Sequence, residues 1–421
     1  MTTKTYAMAY GQGQKAISLP QEKISSVLEP APSQPLADPK ATMLRALREP
    51  VDAPPLAGWA RPGGKVVVIA NDVTRLARSE AFLPLMLDEL NLAGIPDREV
   101  QVVFSNGSHR AHTPEEQRML VGEETARRVA LFDHDCRDHA NLVELGITSR
   151  GTRVLINKRV VQADRVILTG SVVHHYFAGF GGGRKAILPG VSAYETLCQN
   201  HSWMLDPHAR AGKMDGNPVH EDMMEAMKMV RPPYLFNVVL NEQKEFVGVF
   251  AGDYDKAHRE CCRLVDQIYG VTVSAKADLA IVSCGGHPKD INMYQSHKTL
   301  ENAARAVRPG GVIVLFAACP DGPGSDLFYK WMREFGSLQR IEEELRKGFV
   351  LGGHKAYAVA RLLAQAKTIL VSDMPDPMVR ELLMTPAHSG EEALRLAYDY
   401  LGTQDASICL MPHGSLTFPL G

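Results

Sequence analysis

Short unbroken apolar runs alternate along this chain with longer stretches in which apolar residues recur every three or four positions. "KVVVIA" (Lys65 to Ala70), "VQVVF" (Val100 to Phe104) and "RVILTGSVV" (Arg165 to Val173) have strand length and little polar alternation, the pattern of strands covered on both faces. Between the first two lies a helical stretch, "SEAFLPLMLDELNLAG". After the second, Thr113-Pro114-Glu115-Glu116 has the form of a capping box with proline at the first helical position, which predicts a helix start. "FNVVLNEQKEFVGVF" predicts an antiparallel hairpin, and "DKAHRECCRLVDQIYG" a helix ending at Gly270. A second series follows with the strand "ADLAIVSCGG", the helix "INMYQSHKTLENAARAV", the turn "RPGG", and strands at "VIVLFAAC", "AKTILVSD" and "ASICLMP".

Strand, loop, helix, strand is the grammar of parallel α/β sheets. The expected architecture is α/β with two domains, each a mainly parallel sheet flanked by helices, the active site lying in the crevice between them. Gly270 is the expected hinge, giving a catalytic and cofactor-binding domain at 1–270 and a closing α/β domain at 271–421. Residues 30 to 62 are proline-rich and read as a segment wrapping over a surface, with one short helix from Ala41 to Leu47.

At 421 residues, two cores are the natural expectation. A formal charge of -2 with 22% charged residues gives no basic excess for nucleic acid and no polybasic stretch for a membrane surface, so the expected ligand is small. No apolar run reaches the roughly 18 to 20 residues of a membrane span, and the N-terminus lacks a secretory pattern, so a cytoplasmic location is expected. The seven cysteines are scattered without a C-x-x-C pair, which suggests buried apolar residues rather than a zinc site or disulfides.

Polar clusters fall at the carboxyl ends of the strands, where parallel sheets bind ligands: Asn71 to Arg75, Ser105 to Arg110, His174 to Lys185, and "GGHPKD" in the second series. Gly179, Gly181, Gly182 and Gly183 would let backbone approach a ligand closely, and their amides with Arg184 could hold a phosphate. The stretch matches neither the Walker A spacing nor G-x-G-x-x-G. Lys185 is a phosphate counter-charge or a nucleophilic amine carrying a covalent cofactor. His109, His112, His174, His175 and His201 suit proton transfer near neutral pH, and neutral imidazole also suits nickel, zinc or copper. Arg75 and Lys298, if both face the crevice, would fix a carboxylate.

Together "NDVTR", "NGSHRAHT", "HHYFAGFGGGRKAILPG" with "YETLCQNH", "GGHPKDINMYQSHK" and "MPHGSLTFP" resemble the nickel-pincer lactate racemase family of 2-hydroxy acid racemases and epimerases, from about Lys65 to the C-terminus. The resemblance implies a racemase of D- and L-lactate or a related 2-hydroxy acid. It also implies a nickel-pincer nucleotide, a pyridinium mononucleotide with two sulfur groups, covalently attached to Lys185, with nickel on His201. It places the catalytic histidine pair at His109 and His175, with His174 spare, and the substrate-carboxylate contacts at Arg75, Gln295 and Lys298. Asp72 and the backbone of Gly182, Gly183 and Arg184 would hold the nucleotide. Enzymes that build the cofactor and insert nickel are implied partners.

That chemistry has a physical rationale. Removing the C2 proton would set a second negative charge beside a carboxylate, whereas removing hydride leaves a neutral ketone, with a histidine taking the hydroxyl proton. Two enantiomers present their hydroxyls on different sides, hence two histidines. Leu76 after Arg75, the uninterrupted "GFGGG" and the polar "SNGSHR" depart from the family's common form. Three alternatives stay open at this point: a larger acid such as malate, 2-hydroxyglutarate, an aryl-lactate or an aldonate; a pyridine-nucleotide oxidoreductase; and a binding protein without turnover.

Overall fold

A computed structural model describes residues 2–420. Two compact units divide the chain, residues 33–266 and residues 1–32 together with 267–421. Both are α/β, with mainly parallel sheets flanked by helices.

The first unit holds a six-stranded sheet in the order Phe246–Asp253, Tyr234–Leu240, Arg165–Ser171, Val66–Asn71, Val100–Ser105, Ala130–Asp133. Five strands are parallel, and only the edge strand Phe246–Asp253 runs antiparallel, closing the predicted hairpin. Val66, Val68, Val100 and Val102 are fully or almost fully buried, packed with Phe82, Met86 and Leu90 of helix Ser79–Leu92. Burial of each such side chain contributes about 1.5–3 kcal/mol. Thr113 caps helix Pro114–Arg128 as its spacing requires, its hydroxyl accepting from the Glu116 amide while the Glu116 carboxylate accepts from the Thr113 amide. The proline-rich stretch contains helix Pro39–Arg48, with Met43 and Leu47 in the core.

The second unit contains six parallel strands in the order Thr385–Ala387, Lys367–Val371, Val307–Phe316, Ala277–Ser283, Ile408–Met411, Ile24–Val27. Its last strand differs from the sequence division at 270, because residues 1–32 belong here rather than with the unit that follows them. The cause is apolar. Met8, Tyr10, Ile17 and Leu19 of the hairpin Thr3–Tyr10/Gly13–Pro20 share a core with Leu279, Ile281, Val312 and Val314, while Ile24–Val27 pairs with Ile408–Leu410.

All seven cysteines are unpaired and all but Cys198 are buried. Among the described residues no helix is long and apolar enough to cross a membrane.

Candidate active site

Three adjacent parallel strands of the first unit, Arg165–Ser171, Val66–Asn71 and Val100–Ser105, end side by side. The loops leaving them carry Asp72, His109 and the segment from His174 to Gly190.

Asp72, just past its strand, is buried. Its carboxylate accepts from the Thr74 hydroxyl at 2.9 and 3.1 Å and from His109 Nδ1 at 2.5 Å. Burial alone would raise the Asp72 pKa, but the hydrogen bond and charge of His109, with Thr74 and Arg75, outweigh it and hold the carboxyl below its usual range. In the neutral form of the half-exposed His109 ring, a proton on Nδ1 is donated to Asp72 and the lone pair falls on Nε2. The resemblance implies Asp72 as a nucleotide contact; in the structure its carboxylate bonds His109 and Thr74. Arg75 is exposed and bonds the Thr74 carbonyl at 3.1 Å; among the described residues it has no carboxylate partner.

Neighbouring polar residues have structural duties. Asn106 is buried, donating to Arg110 O and Asp133 and accepting from the His134 amide. Ser105 Oγ donates to Ala70 O. The His112 ring is buried between Asp133 and the Val73 amide.

After Ser171 the chain forms a small antiparallel turn in which His174 pairs with Phe180 and His175 with Gly179. His174 Nε2 bonds Asp266 at 2.7 Å, which holds the neighbour of His175 by a carboxylate. His175 Nδ1 accepts the Ala178 amide at 3.2 Å, so in the neutral ring the proton sits on Nε2. The two candidate imidazoles therefore present opposite Nε2 groups, a lone pair on His109 and an N–H on His175.

The glycine loop packs closely against the protein itself. A Cβ on Gly182 would meet Val172 at 2.7 Å and Asn237 at 2.8 Å, and one on Gly183 would meet the His258 ring at 2.8 Å. The Gly183 amide is already bonded to Asn237 Oδ1 at 2.8 Å. These glycines allow close packing against the protein itself. Arg184 likewise turns inward, fully buried, with Nη2 donating to Ala178 O at 2.5 Å. It braces the loop from behind, where the sequence expects it to help hold a phosphate.

Lys185 is only partly exposed, its Nζ 5.9 Å from the centre of the Phe177 ring. Among the described residues it makes no ion pair. Desolvation, then the charges of Arg184 and Arg75, push its pKa well below the usual lysine value, which favours a neutral, nucleophilic amine. Phe177 also meets the rings of His175 at 4.6 Å and His201 at 4.9 Å, so one buried aromatic gathers three of the predicted site residues. Its place was hidden inside the quoted motif, because an apolar residue there carries no chemical signal of its own. His201, buried near the end of helix Tyr194–Ser202, has Nδ1 fixed by Asn200 Oδ1 at 3.1 Å.

Gln295 and Lys298 belong to the second unit, in the first turns of helix Met293–Ala306, where Lys298 Nζ donates to Gln295 Oε1 at 2.9 Å.

Comparison with known proteins points to one family. Residues 10–212 match the lactate racemase N-terminal domain family and residues 272–417 the lactate racemase C-terminal domain family. The chain is 34% identical over 415 residues to a lactate racemase of Thermoanaerobacterium thermosaccharolyticum, covering 96% of each sequence. It is 32% identical over 380 residues to a lactate racemase of Lactiplantibacillus plantarum, covering 89% of each. Among solved structures, the lactate racemase apoprotein from Thermoanaerobacterium thermosaccharolyticum superposes with a TM-score of 0.90 at 33% identity, over 99% of this chain and 100% of the other. A Thermotoga maritima protein at 18% identity and a TM-score of 0.64, over 92% and 99% of the two chains, shares the fold.

Proposed function

Since this chain belongs to the lactate racemase family and is an isomerase, we propose that it is a nickel-dependent racemase of lactate or a closely related 2-hydroxy acid, using a nickel-pincer nucleotide tethered to Lys185. The observation that carries the reading is the gathering of Lys185, His175 and His201 around Phe177.

The residues present fit such a group. Lys185 is an amine without an acidic partner among the described residues, held where the neutral form is favoured. Among those residues no cluster of three or more His, Cys, Asp or Glu could bind a metal, so a nickel on His201 would need its other ligands from a non-protein group. Lys185 would carry the nucleotide and His201 Nε2 would ligate the metal. When bound, the group supplies a reversible acceptor for hydride from substrate C2.

The chain's own side chains do the rest. Arg75 takes the substrate carboxylate. His109, kept in the Nδ1–H tautomer by Asp72, accepts the hydroxyl proton of one enantiomer at Nε2. His175 faces the hydroxyl of the other. To accept a proton at Nε2 its own proton must first move to Nδ1, which displaces the Ala178 amide, so the two bases are chemically inequivalent. Asp266 on His174 fixes the turn that carries His175.

The test is racemisation of L-lactate in D2O by protein matured with the nickel cofactor. Hydride chemistry returns the same hydrogen, so the D-lactate formed keeps protium at C2, read by mass spectrometry. Deuterium at C2 would show proton abstraction and overturn the mechanism.

A further inference from the structure

Asp222, on helix Pro218–Lys228, is a fully buried carboxylate with no ion pair among the described residues. Three neutral donors reach it instead. The Thr148 and Thr152 hydroxyls donate at 2.5 and 2.8 Å from the turn joining strands Leu142–Ile147 and Arg153–Asn157, and Asn200 Nδ2 donates at 2.8 Å. The other Nδ2 hydrogen of Asn200 goes to Val219 O at 3.1 Å. With both amide hydrogens taken by acceptors, the carbonyl of Asn200 is the end that faces His201 Nδ1, at 3.1 Å. A carbonyl only accepts, so His201 donates from Nδ1, and in the neutral ring the lone pair falls on Nε2. Asn200, Asp222 and His201 are all buried, which shields these bonds from water.

We propose that Asp222 is a positioning residue for His201, acting through Asn200 to keep the imidazole proton on Nδ1 and the ring at one angle. This rests on the reading in which His201 ligates nickel. A buried carboxylate without a cation is costly, and tethering the turn at Thr148 and Thr152 does not call for one, because an amide also bonds two hydroxyls. The charge has a different use. A carboxylate accepts only, whereas an amide at this position could present either end to Asn200 and let it turn over. An imidazole whose second nitrogen donates into a hydrogen-bond chain ending on a carboxylate is held in orientation and made a more basic ligand.

The test reads the proton directly. Apoprotein labelled with nitrogen-15 histidine is compared by NMR at about pH 8.5, above the ordinary histidine range of about 6.5, the His201 signals being those missing from His201→Ala. Wild type shows the Nδ1–H tautomer. Asp222→Asn gains Nε2–H population and Asn200→Ala loses the Nδ1 preference. Thr148→Val, which removes a bond to the same carboxylate on the turn side, keeps the wild-type pattern; circular-dichroism melting confirms that each variant folds. In nickel-matured protein, Asp222→Asn releases nickel to EDTA about tenfold faster or more, and Thr148→Val at the wild-type rate. A wild-type proton on Nε2, or a tautomer and nickel release unmoved by Asp222→Asn and Asn200→Ala, overturns the proposal. If the tautomer changes as expected but His201→Ala holds nickel as wild type does, the positioning stands and the nickel reading of His201 falls.

Discussion

Asp72→Asn separates two uses of one carboxylate. The structure gives Asp72 a 2.5 Å bond to His109 Nδ1, from a side chain only 4% exposed. Replacing the carboxylate by an amide removes its charge and allows the ring to present Nε2–H where the reaction needs a lone pair. A hydrogen bond to a charged group is worth about 1.5–3 kcal/mol, so the loss in kcat/KM is about ten- to a hundredfold. Enantiomers have equal free energy, so racemisation has an equilibrium constant of one and kcat/KM must fall by the same factor from either side. Chiral chromatography of initial rates from D- and L-acid measures it, with nickel content determined on the same preparation. Activity within about twofold of wild type at equal nickel refutes the orienting role. A loss of activity that simply tracks lost nickel returns Asp72 to the nucleotide, as the sequence suggests.

Three further outcomes follow from the site's surroundings. In the apoprotein, an N-hydroxysuccinimide ester near neutral pH acylates Lys185 ahead of ordinary surface lysines, read by peptide mass spectrometry; labelling no faster than theirs would show that the amine is protonated. His201→Ala lowers the nickel retained after maturation, measured by plasma mass spectrometry, whereas unchanged nickel would place the ligand elsewhere. His258 lies buried beneath Gly183, and burial, then the Arg184 charge, lowers its pKa to about 3. Because the folded value lies below the unfolded one, the unfolded chain takes up the proton first, and stability falls as pH drops from about 6.5 to about 3. Urea unfolding therefore shows a loss of about 3 kcal/mol between pH 7 and pH 4 from this group. His258→Gln flattens that slope, and an unchanged slope would mean the ring is not held neutral.

Strands buried on both faces were legible because their valine-rich runs leave no other element to build, and the capping box at Thr113 marked its helix to the residue. The N-terminal segment was not legible in the same way. "TKTYAMAY" and "GQKAISLP" are short and half polar, with only Met8, Tyr10, Ile17 and Leu19 turned to a core. What determines their place is a surface made some 270 residues later, at Leu279 and Ile281, and no local pattern carries that distance. The division at Gly270 therefore misplaces the first 32 residues while lying close to the later boundary at Asp266.

The site divides along the same line. His109, His175, Lys185 and His201 stand out in the sequence as candidates because their chemistry belongs to the residue type and the resemblance places them in its motifs. What makes them useful depends on contacts between segments: Asp72 reaches His109 across 37 positions, and Phe177 meets His201 across 24. The glycines illustrate the converse. A run of them invites a phosphate, yet a Cβ at Gly182 or Gly183 would strike Asn237, Val172 or His258 of this chain. Alanine at Gly183 would thus force the loop away from His258 and carry Lys185 with it. The glycine run lets the loop pack closely enough for the inward guanidinium of Arg184 to hold it. The next residue, Lys185, is then left against Phe177 with a lowered pKa.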